Sequence, residues 1–130
     1  LLNDNVYVDM WNAKDRNSVE HISLAKWADV FVLAPATANT IGKIANGIAD
    51  NLLTTVIMAL PKHINIILAP AMNVEMWSNK IVQDNISKLK KIDKKYIFIE
   101  PRSGILACRD EGIGKLADVD DIINTTSLYC

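Results

Sequence analysis

Cysteine is scarce in this sequence, and so are the motifs that depend on sulfur or on metals. There are two cysteines, one of them the last residue, Cys130, so no disulfide framework is expected. The sequence contains no CxxC or HExxH pattern and no His–Cys cluster, which removes the common signatures of metal sites. We therefore predict no metal and a reducing, cytoplasmic setting.

An excess of charge of one sign is also missing. The 14 basic and 15 acidic residues leave a net charge of −1, so no strong field attracts nucleic acid or an anionic membrane. No apolar run reaches the ~18 residues that span a bilayer, and the first four residues are not typical of a signal peptide. We expect neither nucleic acid nor a membrane as a partner.

The chain does contain enough apolar residues for a core. Half of the 130 residues are hydrophobic, which fits one domain over residues 1–130. Helical and strand-like segments alternate, which predicts a parallel sheet covered by helices on both faces. Strands are predicted at 29–33, 64–68 and 96–99, and helices at 17–27, 39–48, 52–60, 79–91 and 118–128.

Three local predictions follow from this pattern. The runs 30–33 and 64–68 are apolar throughout, so we expect them to be adjacent, parallel and central. Asp50 is typical of a helix N-cap. In the fourth helix, Ile81, Ile86 and Leu89 are expected to face inward.

The most informative segment is Pro-Ala-Met-Asn-Val-Glu-Met-Trp at residues 70–77. It directly follows a predicted strand, so Asn73 falls at a strand exit, where open α/β sheets bind ligands. An asparagine side chain offers both a donor and an acceptor. A plain turn, with Met72, Met76 and Trp77 packing in the core, explains the same residues equally well.

A second segment, Ala-Pro-Ala-Thr-Ala-Asn-Thr-Ile-Gly at residues 34–42, also follows a predicted strand. Its small residues allow the backbone to approach a flat ligand closely. Thr37, Asn39 and Thr40 are able to hydrogen-bond a ligand, but the residues alone favour an ordinary helix N-cap.

The third segment covers residues 103–115, with three glycines and a cysteine in a polar context. It is typical of a mobile loop or flap, and the glycine spacing also fits a plain hairpin. Cys108 in it is either a functional thiol or an inert buried side chain.

Together and in this order, the segments resemble the homo-oligomeric flavin-containing cysteine decarboxylases, and most nearly the phosphopantothenoylcysteine decarboxylases of coenzyme A biosynthesis. The PxMNxxMW motif of that family is present as PAMNVEMW, and its flap ACGxxGxG appears as ACRDEGIG. Its active-site histidine looks like His21 in EHISLAKWADVFVLAP. The resemblance covers nearly all of the chain and implies a three-layer, flavodoxin-like or Rossmann-like fold.

The resemblance also implies FMN as cofactor and a homotrimer, or a multiple of trimers, in which exposed groups such as Trp11 and Trp77 would suit a shared site. It assigns His21 and Cys108 to catalysis, Asn73, Ile105 and Ala107 to substrate binding, and Thr37, Ala38, Asn39, Thr40 and Ala71 to cofactor binding.

The implied reaction is the FMN-dependent decarboxylation of 4'-phosphopantothenoylcysteine to 4'-phosphopantetheine. His21 is the plausible general acid or base near neutral pH, although a capping or solvent-facing histidine fits the residues as well. One alternative is a peptidyl-cysteine decarboxylase of lantibiotic type, which stops at the enethiol. Another is a non-catalytic binding relative on the same fold, and a flavin prenyltransferase is more distant. Cys108 on the flap favours the first reading.

Two departures from the family pattern are expected to matter. Arg109 stands where many members have glycine. The chain also starts in the middle of the family pattern, with residues 1–16 resembling the stretch before the histidine. At about 30 residues per strand–helix unit, roughly two amino-terminal units are missing, so the domain is expected to be incomplete.

Overall fold

A computed structural model of the chain describes Ala25, residues 27–105 and residues 111–130. Ala25 and Trp27 are helical, in agreement with the end of the helix predicted at 17–27. None of the helices in these ranges is both long and apolar enough to cross a lipid bilayer. Predictions outside the described residues concern Trp11, His21, Ala107, Cys108 and Arg109.

Three parallel strands form the sheet on which the described part of the chain is built. They are β1 (Val30–Ala36), β2 (Asn65–Pro70) and β3 (Tyr96–Phe98), in the order β1-β2-β3. The predicted parallel pairing of the first two is confirmed, with Leu33 opposite Leu68. Only β2 is central, because β1 lies at the edge of the sheet that these residues form.

Apolar side chains on one face of this sheet make the main core. Parallel strands in register place paired residues on the same face, so Phe31, Ile66 and Tyr96 share it with Leu33 and Leu68. Ile66 and Leu68 are fully buried. Burial of each such side chain stabilises the fold by roughly 1.5–3 kcal/mol. Because β2 also pairs with both other strands, it holds the three-stranded sheet together.

Three helices pack against this face. They are α1 (Ala38–Ala45), α2 (Leu52–Ala59) and α4 (Lys80–Ile92), and the short helix α3 (Val74–Ser78) precedes α4. Ile41 of α1, Ile57 of α2 and Ile86 of α4 join one buried cluster with the strand residues. The predicted helices at 39–48, 52–60 and 79–91 are confirmed, apart from one to three residues at their ends.

The predicted N-cap at Asp50 is wrong by one residue. Asn51 caps α2, and its side chain accepts a hydrogen bond from the Thr54 amide at 2.8 Å. The Thr54 hydroxyl in turn accepts from the Asn51 amide, which completes a capping box. Asp50 instead forms an ion pair with Lys43 at 3.0 Å. Aspartate and asparagine are comparably good N-caps, so the sequence alone did not decide which of the two residues caps α2.

The inward orientation predicted for Ile81 is also wrong, since 71% of this residue is exposed. Ile86 and Leu89 are buried as expected, and Val82 packs against the core in the position that Ile81 was expected to take. A period of 3.6 residues places 82, 86 and 89 on one stripe, and position 81 points about 100° away from it.

The glycine-rich third segment forms an antiparallel hairpin. Its strands are β4 (Arg102–Ile105) and β5 (Glu111–Lys115), and the helix α5 (Val119–Ser127) follows. Arg102 pairs with Lys115 while Ser103 pairs with Ile113, which leaves Gly114 as the extra residue of a β-bulge. The predicted strand at 96–99 and helix at 118–128 are confirmed within one residue at each end.

The bulge attaches the hairpin to the segment after β2. The Met72 amide donates to the Gly114 carbonyl at 2.8 Å. Gly114 has a φ of 149°, and a Cβ at this position would collide with the Met72 carbonyl oxygen. Only glycine therefore fits here without displacing one of the two backbones.

Replacement of Gly114 by alanine should detach the hairpin from Met72 and lower the free energy of unfolding by roughly 2 kcal/mol, because the left-handed backbone is strained and the Cβ collides. The control is Gly42→Ala, where the new Cβ would meet Asn85 Nδ2 at 3.5 Å, an ordinary contact. Inside α1, that change should stabilise the protein by about 0.5–1 kcal/mol. Urea denaturation of both variants measures the difference, and equal stability of the two would contradict the bulge geometry.

Candidate functional site

The carboxyl ends of β1 and β2 lie side by side. Ala36 is opposite Pro70 at the last pair of the register, and the Ala71 amide donates to the Ala36 carbonyl at 3.3 Å. Because the strands are parallel, the segments that leave them emerge on the same side of the sheet, at the carboxyl ends of the strands. We call this side the carboxyl edge. In open α/β sheets this edge is where ligands bind.

The segment that leaves β1 turns at once into α1. Thr37 is the N-cap, and its Oγ1 accepts from the Thr40 amide at 3.2 Å. Its hydroxyl also lies 3.2 Å from Thr40 Oγ1. Thr37 and Asn39 are exposed, while Ala38 and Thr40 are half-buried. The ordinary N-cap that the residues favoured is therefore present, on a surface that is open to solvent.

The segment that leaves β2 ends in a second N-cap. Asn73 Oδ1 accepts from the amides of Glu75 at 2.7 Å and Met76 at 3.4 Å, at the start of α3. The two bonds hold the plane of the side-chain amide in one orientation. Asn73 is half-buried, and it follows Met72, whose amide binds the hairpin.

The large apolar side chains of segment 70–77 differ in how far they are buried. Met72 and Trp77 pack against the core cluster, as the plain-turn reading expected. Met76 is 47% exposed. The expectation that Trp77 is an exposed group was therefore wrong, because α3 turns this indole back toward the core.

The structure brings most of the predicted cofactor and substrate residues to one edge. Thr37, Ala38, Asn39 and Thr40 follow β1, and Ala71 and Asn73 follow β2. Ile105 ends β4, on the hairpin that Gly114 attaches to Met72. The positions of His21, Ala107 and Cys108 lie outside the described residues.

Two residues of the hairpin, Gly114 and Arg102, were assigned no individual role in the sequence predictions. Gly114 had been noted only as part of the flap pattern, and its spacing to Gly112 was the available signal. Arg102 had no signal at all. Its guanidinium contacts Leu116 and Asp118, and only the folded hairpin brings these groups together.

Tyr96 lies in the sheet but away from the carboxyl ends of its strands. Burial, together with the nearby Asp93 carboxylate, raises the pKa of Tyr96 above its usual value of 10.0. Tyr96 is the first residue of β3, so it marks the opposite edge of the parallel sheet. The residue therefore lies outside the candidate site.

A large apolar cavity also lies away from the candidate site. Its volume is about 840 Å³, and it is lined by the amino-terminal half of β1, by α2 and by Cys130. None of the predicted site residues lines it. We place the candidate site at the strand ends, because the polar groups converge there.

Comparison with known proteins identifies the family. The sequence profile named Flavoprotein matches residues 1–128. A "Probable phosphopantothenoylcysteine decarboxylase" of Streptococcus mutans is 49% identical over 118 residues, which make up 91% of this chain and 65% of that protein. The chain thus spans less than two thirds of this relative's length.

Solved structures agree with this result. A PPC decarboxylase mutant complexed with pantothenoylaminoethenethiol is 41% identical and has a TM-score of 0.79, over 84% of this chain and 59% of that one. The FMN binding protein AtHal3 is 42% identical with a TM-score of 0.74, over 84% and 58% of the two chains. These matches confirm the flavodoxin-like α/β fold, and the family profile covers almost the whole sequence. The chain belongs to the Flavoprotein family.

Proposed function

We propose that this chain is part of an FMN-dependent phosphopantothenoylcysteine decarboxylase of coenzyme A biosynthesis. The observation that carries the proposal is the position of two helix N-caps, Thr37 and Asn73, directly after adjacent parallel strands and at the same carboxyl edge of the sheet. The similarity to the Streptococcus mutans relative and to the PPC decarboxylase structure supports the same reading.

The residues after β1 fit a flavin. Ala38 has a minimal side chain, so a flat ring is able to approach the backbone, and Thr37 and Asn39 are exposed beside it. The first turn of α1 presents backbone amides, which suit ring carbonyls or a phosphate. These residues, with Thr40 and Ala71, would hold FMN.

The reaction needs an electron sink. Loss of CO2 from an ordinary cysteine leaves a carbanion without stabilisation, whereas a thioaldehyde at the neighbouring carbon accepts its electrons on sulfur. When bound, FMN supplies the oxidation of the thiol-bearing carbon and the later return of hydride. The protein contributes binding, orientation and proton transfer.

Asn73 is suited to orient the carboxylate that leaves as CO2. Its Oδ1 is engaged by the α3 amides, so the capping bonds turn the N–H donors of the side chain in a defined direction. A neutral donor group binds a carboxylate without trapping it as a strong ion pair would. An orientation already set by the fold also avoids ordering the side chain during binding.

Replacement of Asn73 by aspartate separates capping from substrate binding. Aspartate caps a helix as well as asparagine does, so α3 should stay folded. The variant lacks the N–H donors and repels the substrate carboxylate, so CO2 release should fall by ~100-fold or more. The assay is CO2 release by the intact, FMN-loaded protein, with flavin absorbance as the measure of cofactor binding.

The matched control is Asn51→Asp, the same change at the N-cap of α2. It should leave both CO2 release and flavin absorbance close to those of the unmodified protein. Equal activity of the Asn73 and Asn51 variants would overturn the role of Asn73. An intact protein that binds no FMN would overturn the proposed function itself.

His21 and Cys108 complete the proposal through the family pattern. We assign His21 to acid–base work in the early steps. We assign Cys108 to protonation of the enethiol when it is reduced to the saturated product. In its support, the PPC decarboxylase structure with bound pantothenoylaminoethenethiol is that of a cysteine-to-serine mutant.

Replacement of Cys108 by serine should leave oxidation and decarboxylation in place, because the thiol acts only in the last step. The product should then be the enethiol, two mass units lighter than the saturated thiol 4'-phosphopantetheine, with the flavin left reduced. His21→Asn should lose CO2 release instead. Product mass, CO2 and flavin absorbance are the readouts, and full loss of CO2 release in Cys108→Ser would contradict the assignment.

We also propose a homotrimer, or a multiple of trimers, acting in the cytoplasm. Exposed apolar side chains near the site, Met76 at 47% and Ile81 at 71%, support a surface covered by another subunit. The mass of the flavin-loaded intact protein in solution should correspond to three chains or a multiple of three. A monomer at micromolar concentration with FMN still bound would contradict this assembly.

A further inference from the structure

Arg102 makes contacts that connect three separate parts of the chain. It is the first residue of β4, its Nε donates to the Leu116 carbonyl at 2.8 Å, and its Nη1 lies 2.8 Å from Asp118 Oδ1. Leu116 directly follows β5, and Asp118 is the N-cap of α5. One side chain therefore joins the base of both hairpin strands to the helix that follows.

At Asp118, the contact with Arg102 takes the place of the usual helix-capping hydrogen bond. A helix N-cap aspartate usually accepts a hydrogen bond from the first turn, but the Asp118 side chain makes no capping hydrogen bond. Its carboxylate contacts Arg102 instead. The guanidinium fork is suited to this geometry, because it donates to a carbonyl and a carboxylate at the same time.

The bulge lies immediately next to this connection. Arg102 pairs with Lys115, and the register shift that leaves Gly114 unpaired occurs between Arg102 and Ser103. A bulge turns the carbonyl of its extra residue out of the ladder. Here the Gly114 carbonyl accepts from the Met72 amide, one residue before Asn73.

We propose that Arg102 is a positioning residue: by holding the base of the hairpin it keeps the Gly114 bulge against Met72 and so sets the position of Asn73. This inference rests on the proposed function, in which Asn73 orients the substrate carboxylate. Arg102 does not need to touch substrate or cofactor. It acts on the site through the backbone.

The expected effect is moderate. The ion pair is partly exposed, with 40% of the Arg102 side chain and 58% of the Asp118 side chain accessible, so it contributes little by itself. The bond to the Leu116 carbonyl is part-buried and charge-assisted, and it contributes more. We expect changes of about fivefold rather than complete loss.

The test compares Arg102→Gln with Lys90→Gln in the intact, FMN-loaded protein. Lys90 forms an ion pair with Glu100 at 3.8 Å and lies over the Phe98 ring, and it belongs to α4 rather than to the hairpin. In Arg102→Gln the KM for the cysteine substrate should rise about fivefold with little change in kcat and with flavin absorbance unchanged. Lys90→Gln should change none of these.

Amide hydrogen exchange provides a readout that does not depend on activity. The Met72 amide, bound to Gly114, should exchange about fivefold faster in Arg102→Gln. The neighbouring Ala71 amide is bound to Ala36 in the sheet connection and should not change. Arg102→Lys should give an intermediate effect, because lysine keeps the charge opposite Asp118 but lacks the fork.

Equal acceleration of the Met72 and Ala71 amides would mean a general loss of stability and would overturn the positioning role. So would an unchanged Met72 amide, or a faster Met72 amide with an unchanged KM. If the unmodified intact protein releases no CO2, the proposed function fails. The exchange rates of Met72 and Ala71 then still decide whether Arg102 positions this segment.

Discussion

The parallel pairing of β1 with β2 is the constraint on which the rest of the described structure depends. Its register runs from Val30 opposite Asn65 to Ala36 opposite Pro70. A slip of one residue would turn Ile66 and Leu68 from the helix-covered face to the other. The same slip would separate the two strand exits, because the Ala71 amide would no longer meet the Ala36 carbonyl.

Capping and ligand binding are not competing explanations for Thr37 and Asn73. Each side chain satisfies the free amides of a helix that starts at the carboxyl edge of the sheet. Capping fixes the side chain in one rotamer, which lowers the entropic cost of using it on a ligand. In the proposed site, these capping side chains are therefore ordered before a ligand binds.

The hairpin illustrates how a weak local pattern obtains its position from contacts elsewhere. Its strands are short and rich in glycine, and such strands are weak on their own. Its position comes from backbone contact with Met72 and from the Arg102 side chain at its base. Both contacts link residues that are far apart in the sequence, which gives the hairpin a fixed relation to Asn73.

The sequence by itself predicted the three parallel strands and the helices α1, α2, α4 and α5, because apolar periodicity and capping residues act over a few neighbouring positions. It missed the short helix α3, where the residues suggested a turn. Ile86 and Leu89 were correctly placed inward, and the strand exits at Thr37 and Asn73 were correctly located. It did not determine whether Asp50 or Asn51 caps α2, since the two side chains cap almost equally well. The family motifs are the source of the proposed cofactor and reaction, which periodicity does not encode.

Only the tertiary structure decided which of these pieces meet. That Gly114 faces Met72, and that Arg102 reaches Leu116 and Asp118, depends on the register of the hairpin and on where β2 ends. Such contacts join residues more than ten positions apart, and each is defined by a distance of about 3 Å that no local pattern specifies. Local propensities select the elements, and close packing of the assembled chain selects their neighbours.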